Sequence, residues 1–281
     1  MALLEARGLT VSYGGLHAND EIDLDCHAGK LVGLIGPNGA GKTTFIDAIT
    51  GFTPVSTGTV TFDGQDLAGI GPDKRAQMGL TRTFQSLELF EDLTVRDNLM
   101  AAAERPKWHS FLTDIALPGR NERQYVEQVE WAMDMMKLTD RADTMPSDLS
   151  HGQRKLVSVA RALAARPKLV LLDEPAAGLD TAESQLLGQH LRDFLDYDMS
   201  LFLIDHDMGL VLNVCDYIYV LDFGRVIAHG TAAEVRADPA VIAAYLGDSA
   251  GESQAREGAA ASAARAPVAA DSTMTESESD Q

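Results

Sequence analysis

The residues best suited to chemistry form a glycine-rich loop near the start of the chain. The loop follows the pattern Gly-x-x-x-x-Gly-Lys-Thr and consists of Gly36, Pro37, Asn38, Gly39, Ala40, Gly41, Lys42, Thr43 and Thr44. Its glycines let the backbone turn so that successive N–H groups converge on phosphate oxygens. Lys42 supplies a positive charge for β- and γ-phosphates, and the Thr43 hydroxyl is a ligand for Mg²⁺. The pattern predicts a nucleotide site, and the alternative is a chance glycine-rich turn.

The residues on either side of this loop fit the same site. Residues 31–35 are a short apolar run typical of a buried strand, and residues 44–49 continue from the loop as a helix. The helix begins near Lys42, so the positive end of its dipole points at the place expected for the phosphates. A strand, a glycine-rich turn and a helix in this order are the context in which the pattern binds nucleotides.

The composition is that of a globular protein with an acidic surface. The chain has 281 residues, of which 45% are hydrophobic and 23% charged, and its net charge is -19 from 23 basic and 42 acidic residues. A nucleic-acid binder needs basic faces to neutralise phosphate, so this balance argues against one. The acidity is typical of a well-solvated surface, and the length allows one large domain or two small ones.

The cysteines and the apolar segments bear on the compartment. The two cysteines, Cys26 and Cys215, have no paired-ligand spacing, which favours a reducing compartment over a disulfide framework. The start of the chain has no signal-peptide pattern, and no apolar run approaches the roughly 20 residues that span a bilayer. We expect a cytoplasmic protein, which leaves docking on a membrane protein open.

Strands and helices alternate along the chain and must position the loop. Residues 3–11 and 21–27 read as an antiparallel pair with one wet face. The run at residues 168–173 lacks alternation and predicts a parallel strand covered on both faces. Further strands are expected at residues 58–64, 200–205, 217–221 and 226–228, and helices at residues 72–78, 150–165, 181–195, 208–214, 232–236 and 239–246.

Two segments differ in character from the rest. Between residues 85 and 149 the expected helices, at residues 94–103 and 122–138, read as a helical insertion between strands of the parent sheet. From about residue 248 the composition is dominated by Ala, Ser, Glu and Gly without a periodic apolar face. The expected organisation is one domain over residues 1–247 and a disordered acidic tail over residues 248–281.

The loop alone leaves kinases, GTPases and motor ATPases open, and a second motif narrows the choice. Leu149-Ser150-His151-Gly152-Gln153 precedes a helix and then the run ending in Asp173-Glu174-Pro175. With these motifs the chain resembles the ATP-binding cassette family, whose signature reads Leu-Ser-Gly-Gly-Gln, over residues 3–247. The resemblance implies an α/β P-loop NTPase fold with a RecA-like core, an antiparallel β subdomain and a helical subdomain over about residues 86–165.

The resemblance also implies roles for residues that follow the strands. Asp173 is expected to hold Mg²⁺ and Glu174 to act as the general base on the attacking water. His206 matches the switch histidine that contacts the γ-phosphate, and Gln85 matches a glutamine that senses Mg²⁺ and the attacking water. The alternatives are a solvated carboxylate pair, a structural histidine and a surface amide.

Other residues are expected around the nucleotide and at the second subunit. Tyr13 matches the aromatic residue that stacks on adenine in the family. The alternative is ordinary packing in a turn. Asp180 matches a loop that reaches the opposite subunit. Ser150, Gly152 and Gln153 belong to the signature, which in the family meets the γ-phosphate of ATP held by a second cassette.

The signature implies that each active site needs two cassettes arranged head to tail. His151 departs from the glycine of the family signature, and we expect that side chain to face outward. The second cassette is expected to be either identical or a paralogue. The remaining expected partners are transmembrane permease subunits and, indirectly, an extracytoplasmic solute-binding protein, which places the chain on the cytoplasmic face of the cell membrane.

Local phrases narrow the resemblance to the ATPase subunits of branched-chain amino acid importers. These phrases are Thr83-Phe84-Gln85, residues 90–99, residues 174–180, Asp205-His206-Asp207-Met208 and residues 243–247. Importers for urea or short amides share much of this pattern. A soluble cassette ATPase that acts on DNA or ribosomes is a further alternative, as is a regulatory module without turnover, which intact Glu174 and His206 disfavour.

Overall fold

The fold is that of a computed structural model, which describes residues 2–83, 89–103, 120–197 and 199–245. The predicted role of Gln85 and the predicted tail over residues 248–281 therefore lie outside the described residues. The strands are β1 Ala2–Tyr13, β2 Leu16–His27, β3 Leu31–Ile35, β4 Thr57–Phe62, β5 Gln65–Asp66, β6 Leu80–Arg82, β7 Leu169–Asp173, β8 Ser200–Ile204, β9 Tyr217–Asp222 and β10 Arg225–Gly230.

The helices alternate with these strands and confirm the predicted α/β class. They are α1 Lys42–Thr50, α2 Pro72–Met78, α3 Val95–Ala103, α4 Arg120–Met135, α5 His151–Ala164, α6 Thr181–Asp193, α7 Met208–Val214 and α8 Ala232–Ala237, followed by α9 at residues 239–245. Among the described residues no helix is long and apolar enough to cross a membrane.

Two sheets organise the chain. The first has the order β2-β1-β4-β5 and is antiparallel, as predicted for its first two strands. The second has the order β10-β9-β3-β8-β7-β6, and its strands are parallel except for β10. Because parallel strands need crossover connections, helices cover both faces of the second sheet.

The second sheet divides the interior into two apolar cores. In β7, Leu169 and Leu171 face the core shared with the antiparallel sheet and α1, whereas Val170 and Leu172 face the core shared with the helices on the other side. Each of these side chains is fully buried. Successive side chains of a strand point to opposite faces, so a continuous apolar run is what a strand buried on both faces requires.

Helices α3, α4 and α5 pack against one another on one side of the second sheet. Thr94 caps α3, because its Oγ1 accepts a hydrogen bond from the Asp97 N–H at 3.1 Å. Met133 and Met136 are buried in the core beneath these helices. The methionines therefore fill space between helices.

The parallel strands end at one edge of the second sheet, and this edge assembles the site. The glycine-rich loop follows β3, and Asp173 and Glu174 stand at the end of β7. Asp205 and His206 follow β8, and Thr83 follows β6. In open α/β sheets this carboxyl edge is where ligands bind.

Candidate nucleotide site

The glycine-rich loop depends on glycine at two positions for close packing. Gly41, which precedes α1, has φ +100°, and a Cβ there would lie 2.4 Å from the carbonyl oxygen of Ala18. A Cβ at Gly36 would lie 2.0 Å from the carbonyl oxygen of Leu221. Any larger residue at either position would displace backbone of a neighbouring strand. The loop therefore packs directly against β2 and β9.

Lys42 lies inside this loop. Its side chain is buried, and Nζ donates hydrogen bonds to the carbonyl oxygens of Gly36 at 2.6 Å and Pro37 at 2.9 Å. The ammonium group thus lies beside the N-terminus of helix α1, where the dipole of the helix also attracts anions. This arrangement provides the positive charge that a bound phosphate chain requires.

Asp173 is held at the end of β7 by its neighbours on β6. Its side chain is 4% exposed, its backbone N–H donates to Thr83 Oγ1 at 3.2 Å, and its Oδ2 accepts from Arg82 Nη2 at 2.7 Å. Arg82 also forms an ion pair with Asp47 on α1. The sequence gives Arg82 no role at the site, and it marks Thr83 only as part of Thr83-Phe84-Gln85.

The oxygen groups at this edge fit Mg²⁺. Among the residues that the structure describes, no group of three or more His, Cys, Asp or Glu side chains could hold a metal ion. Mg²⁺ is usually bound by one or two carboxylates together with substrate phosphates, so a single buried carboxylate is sufficient. Asp173 and the Thr43 hydroxyl would hold the ion, which when bound neutralises charge on the β- and γ-phosphate oxygens.

Glu174 adopts an unusual backbone conformation beside His206. Its φ is +47°, in the left-handed region that few residues other than glycine adopt, and its N–H donates to the Ile204 carbonyl oxygen at 2.7 Å. His206 Nδ1 lies 3.8 Å from Glu174 Oε1 and 3.5 Å from Asp205 Oδ1. The structure thus brings together two of the three predicted catalytic side chains, and strain of this kind is concentrated at functional sites.

Asp205 is a buried carboxylate that the motifs do not single out. It is fully buried, and it accepts hydrogen bonds from the N–H groups of Ala176 at 3.2 Å and Asp207 at 3.0 Å. Burial raises the pKa of Asp205 above its ordinary value, while these hydrogen bonds and the charge of His206 oppose the rise. The residue ties the segment after β7 to the segment after β8.

Lys155 connects helix α5 to the same place. Its side chain is buried, and Nζ donates to the Glu174 carbonyl oxygen at 3.2 Å. Burial lowers the pKa of Lys155, and the nearby negative charges of Asp205 and Glu174 oppose that fall. A cation within an amphipathic helix gives little signal in the sequence, because most such residues face solvent.

The signature motif begins helix α5. Ser150 is the N-cap: its Oγ accepts from the Gln153 N–H at 3.2 Å, and the Gln153 side chain accepts from the Ser150 N–H at 3.0 Å. This reciprocal capping box fixes the helix start. A Cβ at Gly152 would lie 2.4 Å from Glu183 Oε1, so a larger residue there would require the Glu183 side chain to move.

His151 and Asp180 lie where the start of helix α5 meets the loop between β7 and α6. The His151 imidazole is exposed, as predicted, yet it packs against the loop between β7 and α6 at Gly178. Asp180 is the N-cap of α6, and its Oδ1 accepts from the Glu183 N–H at 2.8 Å. The predicted roles of Ser150, Gly152, Gln153 and Asp180 toward a second subunit stay predictions.

Tyr13 ends strand β1 with its ring turned toward solvent. The side chain is 53% exposed, and its hydroxyl lies 3.4 Å from Thr53 Oγ1, just beyond helix α1. An exposed flat ring beside the phosphate-loop helix is available to stack on a base. The stacking role stays a prediction.

The cysteines are placed as expected for unpaired residues. Cys26 and Cys215 are both free. Burial raises the pKa of the Cys26 thiol to about 12 and also raises the pKa of Cys215. Thiols kept protonated in this way are poor nucleophiles, so neither takes part in the chemistry of the site.

Comparison with protein families gives two matches. The family described as "ABC transporter" matches residues 19–177, which hold the phosphate loop and the segment ending in Ala177. The family described as "Branched-chain amino acid ATP-binding cassette transporter" matches residues 225–251.

Several curated proteins are similar over most of their length. The chain is 37% identical over 252 residues to the high-affinity branched-chain amino acid transport ATP-binding protein BraF of Pseudomonas aeruginosa, covering 88% of this chain and 98% of the relative. It is 36% identical over 250 residues to LivG of Salmonella typhimurium, a protein with the same description, with the same coverage of 88% and 98%. The lipopolysaccharide export system ATP-binding protein LptB of Escherichia coli K12 is 35% identical over 251 residues, again covering 88% and 98%.

Solved structures give the same picture. A nucleotide-free ATP-binding cassette from an ABC transporter superposes with a TM-score of 0.76 at 30% identity, covering 87% of this chain and 99% of the other. An ATP-binding cassette in its ADP conformation superposes with a TM-score of 0.77 at 30% identity, covering 88% and 99%. These similarities confirm the predicted fold class.

Proposed function

The chain belongs to the ATP-binding cassette family of transporter ATPases, and from that premise we propose that it energises a membrane importer for branched-chain amino acids or related small polar solutes. As a cassette of this family it binds ATP and hydrolyses it to ADP and phosphate. The observation that carries the proposal is the assembly of Lys42, Asp173, Glu174 and His206 at one edge of the second sheet.

Within this site each side chain has a distinct task. Lys42 and the loop N–H groups bind the β- and γ-phosphates. Glu174 accepts a proton from the attacking water. At the same time the water oxygen bonds to the γ-phosphorus, and the bond between the γ-phosphorus and the β,γ-bridging oxygen breaks. His206, 3.8 Å from Glu174, orients the γ-phosphate. Gln85, which lies outside the described residues, would complete the set by sensing the metal and the attacking water.

The complete site is formed by two cassettes. Ser150, Gly152 and Gln153 stand at the N-terminus of α5, where N–H groups and the helix dipole favour an anion. Ser150 is exposed, so its hydroxyl can reach a phosphate held by a second, identical or paralogous cassette. Asp180, at the start of helix α6 and close to the start of α5, contacts the opposite subunit.

Binding of two ATP molecules closes the pair of cassettes, and hydrolysis reopens it. This cycle drives permease subunits between inward- and outward-facing states, since each nucleotide state binds one conformation better. The helices α3, α4 and α5 receive the permease loops, and the chain lies on the cytoplasmic face of the membrane. An extracytoplasmic solute-binding protein delivers the solute.

The substrate class is supported by the descriptions of relatives. BraF and LivG are described as branched-chain amino acid transport proteins, and the carboxyl-terminal match over residues 225–251 carries the same description. Urea and short amides are alternative imported solutes. The similarity to LptB makes lipopolysaccharide export the second candidate function.

Purification of the tagged full-length chain from membranes of its own host tests the proposal. We expect permease subunits and a second cassette to co-purify. In liposomes, solute-binding protein loaded with leucine should stimulate ATP hydrolysis, whereas acetamide or urea should not. Stimulation by lipopolysaccharide alone, or recovery of the chain without any membrane protein, would contradict an amino-acid importer.

A further inference from the structure

Arg82 joins two parts of the nucleotide site that are distant in sequence. It is the last residue of β6 and pairs in register with Leu171 of the parallel strand β7. Nη2 donates to Asp173 Oδ2 at 2.7 Å, and Nη1 forms an ion pair with Asp47 Oδ1. The guanidinium side chain is 10% exposed. One cation thus bridges two carboxylates from different elements in a poorly hydrated place.

The second carboxylate places this bridge next to the phosphate loop. Asp47 follows Thr43 by four residues on helix α1, so the two side chains lie on one face of the helix, one turn apart. Arg82 therefore spans the gap between the helix that carries the Thr43 hydroxyl and the strand that ends in Asp173. A fork-shaped guanidinium can hold both carboxylates at once, whereas a lysine ammonium offers a single point charge.

We propose that Arg82 is a positioning residue that fixes the Asp173 carboxylate for metal binding and ties it to the phosphate-loop helix through Asp47. The proposal rests on the roles assigned above to Asp173 and Thr43. The positive charge of Arg82 also offsets the two carboxylates when nucleotide is bound without metal. Removing that charge leaves two carboxylates without their shared cation near the place expected for the phosphates, which disfavours ATP alone and favours a divalent cation.

The test compares ATP binding with and without Mg²⁺ in Arg82→Met, which keeps an unbranched apolar side chain and removes the charged guanidinium. Dissociation constants for ATP are measured by calorimetry in EDTA and in excess Mg²⁺. We expect the constant in EDTA to rise about tenfold and the constant in Mg²⁺ to change much less, because an added cation replaces the missing charge. A parallel change in both constants, or none, would overturn the charge-balancing role of Arg82, and Mg²⁺-dependent hydrolysis at the wild-type rate in Arg82→Met would overturn its positioning of Asp173.

Two further variants make the result specific. Arg82→Lys restores the charge without the fork, so its ATP affinity in EDTA should return toward the wild type while Mg²⁺-dependent hydrolysis stays low. If Arg82→Met does not fold, the difference between ATP binding and hydrolysis in Arg82→Lys tests the proposal. Equal recovery of binding and hydrolysis in Arg82→Lys would contradict a positioning role. Arg7→Met is the matched control, since Arg7 pairs with Asp25 on the exposed side of the antiparallel sheet.

The assignment of the metal site is tested separately. Asp173→Asn should abolish the Mg²⁺ dependence of ATP binding while leaving binding in EDTA intact. If Asp173→Asn keeps a normal Mg²⁺ dependence, the metal role of Asp173 is wrong. If it loses that dependence and Arg82→Met hydrolyses ATP with Mg²⁺ at the wild-type rate, the positioning role of Arg82 alone is wrong.

Discussion

His151 Nε2 lies against Gly178, so close that a Cβ at position 178 would stand 3.0 Å from it. The contact joins the start of helix α5 to the loop between β7 and α6. Gly178 also has φ +79°, which strains any residue with a side chain. A side chain at position 178 is therefore disfavoured both by backbone strain and by the contact with His151, and mutation can separate these two effects.

Gly178→Ala should destabilise the chain by about 1 to 2 kcal/mol, since it combines left-handed strain with the contact to His151. Adding His151→Gly should recover part of that loss by freeing the space. Urea unfolding measures each free energy. Gly69→Ala is the control, because Gly69 has φ +70° with no atom within 4 Å of its Cβ position. An equal loss in both glycine variants would show that the imidazole contact has no energetic weight.

Glu174→Gln should lower ATP hydrolysis at least about a hundredfold, since the amide cannot accept the proton of the attacking water. ATP binding should remain, because the glycine-rich loop and Lys42 are unchanged. Phosphate release from the assembled protein measures the rate, and gel filtration with ATP should detect a more persistent cassette pair. Hydrolysis at the wild-type rate would refute the assignment of the general base.

Replacements of Ser150 separate its capping from its proposed role toward a second cassette. Ser150→Ala removes the N-cap of α5 and should cost about 1 kcal/mol. Ser150→Asp keeps a good cap but adds a negative charge where the neighbouring phosphate is expected, so stability should hold while hydrolysis is lost. Urea unfolding and phosphate release are the two measurements.

Thr231 provides the matched control for these replacements. It caps helix α8 with the same capping box, since its Oγ1 accepts from the Glu234 N–H at 3.5 Å. Thr231→Ala should lower stability by about 1 kcal/mol and leave ATP hydrolysis unchanged. If Ser150→Asp hydrolyses ATP as fast as Thr231→Ala, the signature serine has no part in the reaction.

Asp205 predicts a pH dependence of stability. Its pKa is raised by burial, so the folded state holds the proton more tightly than the unfolded state, whose pKa is near 3.8. The resulting stabilisation is fully present below the unfolded pKa and is lost as the pH rises through the folded pKa. The free energy of unfolding of the wild type, relative to Asp205→Asn, should therefore fall over this window in urea titrations at successive pH values.

A pH-independent offset is also expected for Asp205→Asn, since its amide cannot accept both backbone N–H groups. The exposed residue Asp196 supplies the control variant Asp196→Asn. If the difference between wild type and Asp205→Asn is constant with pH, Asp205 does not titrate with a raised pKa.

Much of the fold follows from local pattern. The helices at Pro72–Met78 and Met208–Val214 have the predicted bounds, because proline in the first turn marks one and Asp207 caps the other. Predicted bounds at α4 and α6 differ by a few residues. Helix ends depend on packing and on short 3₁₀ turns, such as Phe194–Tyr197, which a periodic pattern does not record.

The sequence by itself determined the phosphate loop, the buried strands and the carboxylates at their ends, since each is written in neighbouring residues. Only the tertiary structure decided that Arg82 meets Asp173, 91 residues away, and that Lys155 reaches the backbone of Glu174. The physical reason lies in strand register. A slip of one residue turns every side chain to the other face of the sheet, so such contacts depend on how β6, β7 and α5 pack together.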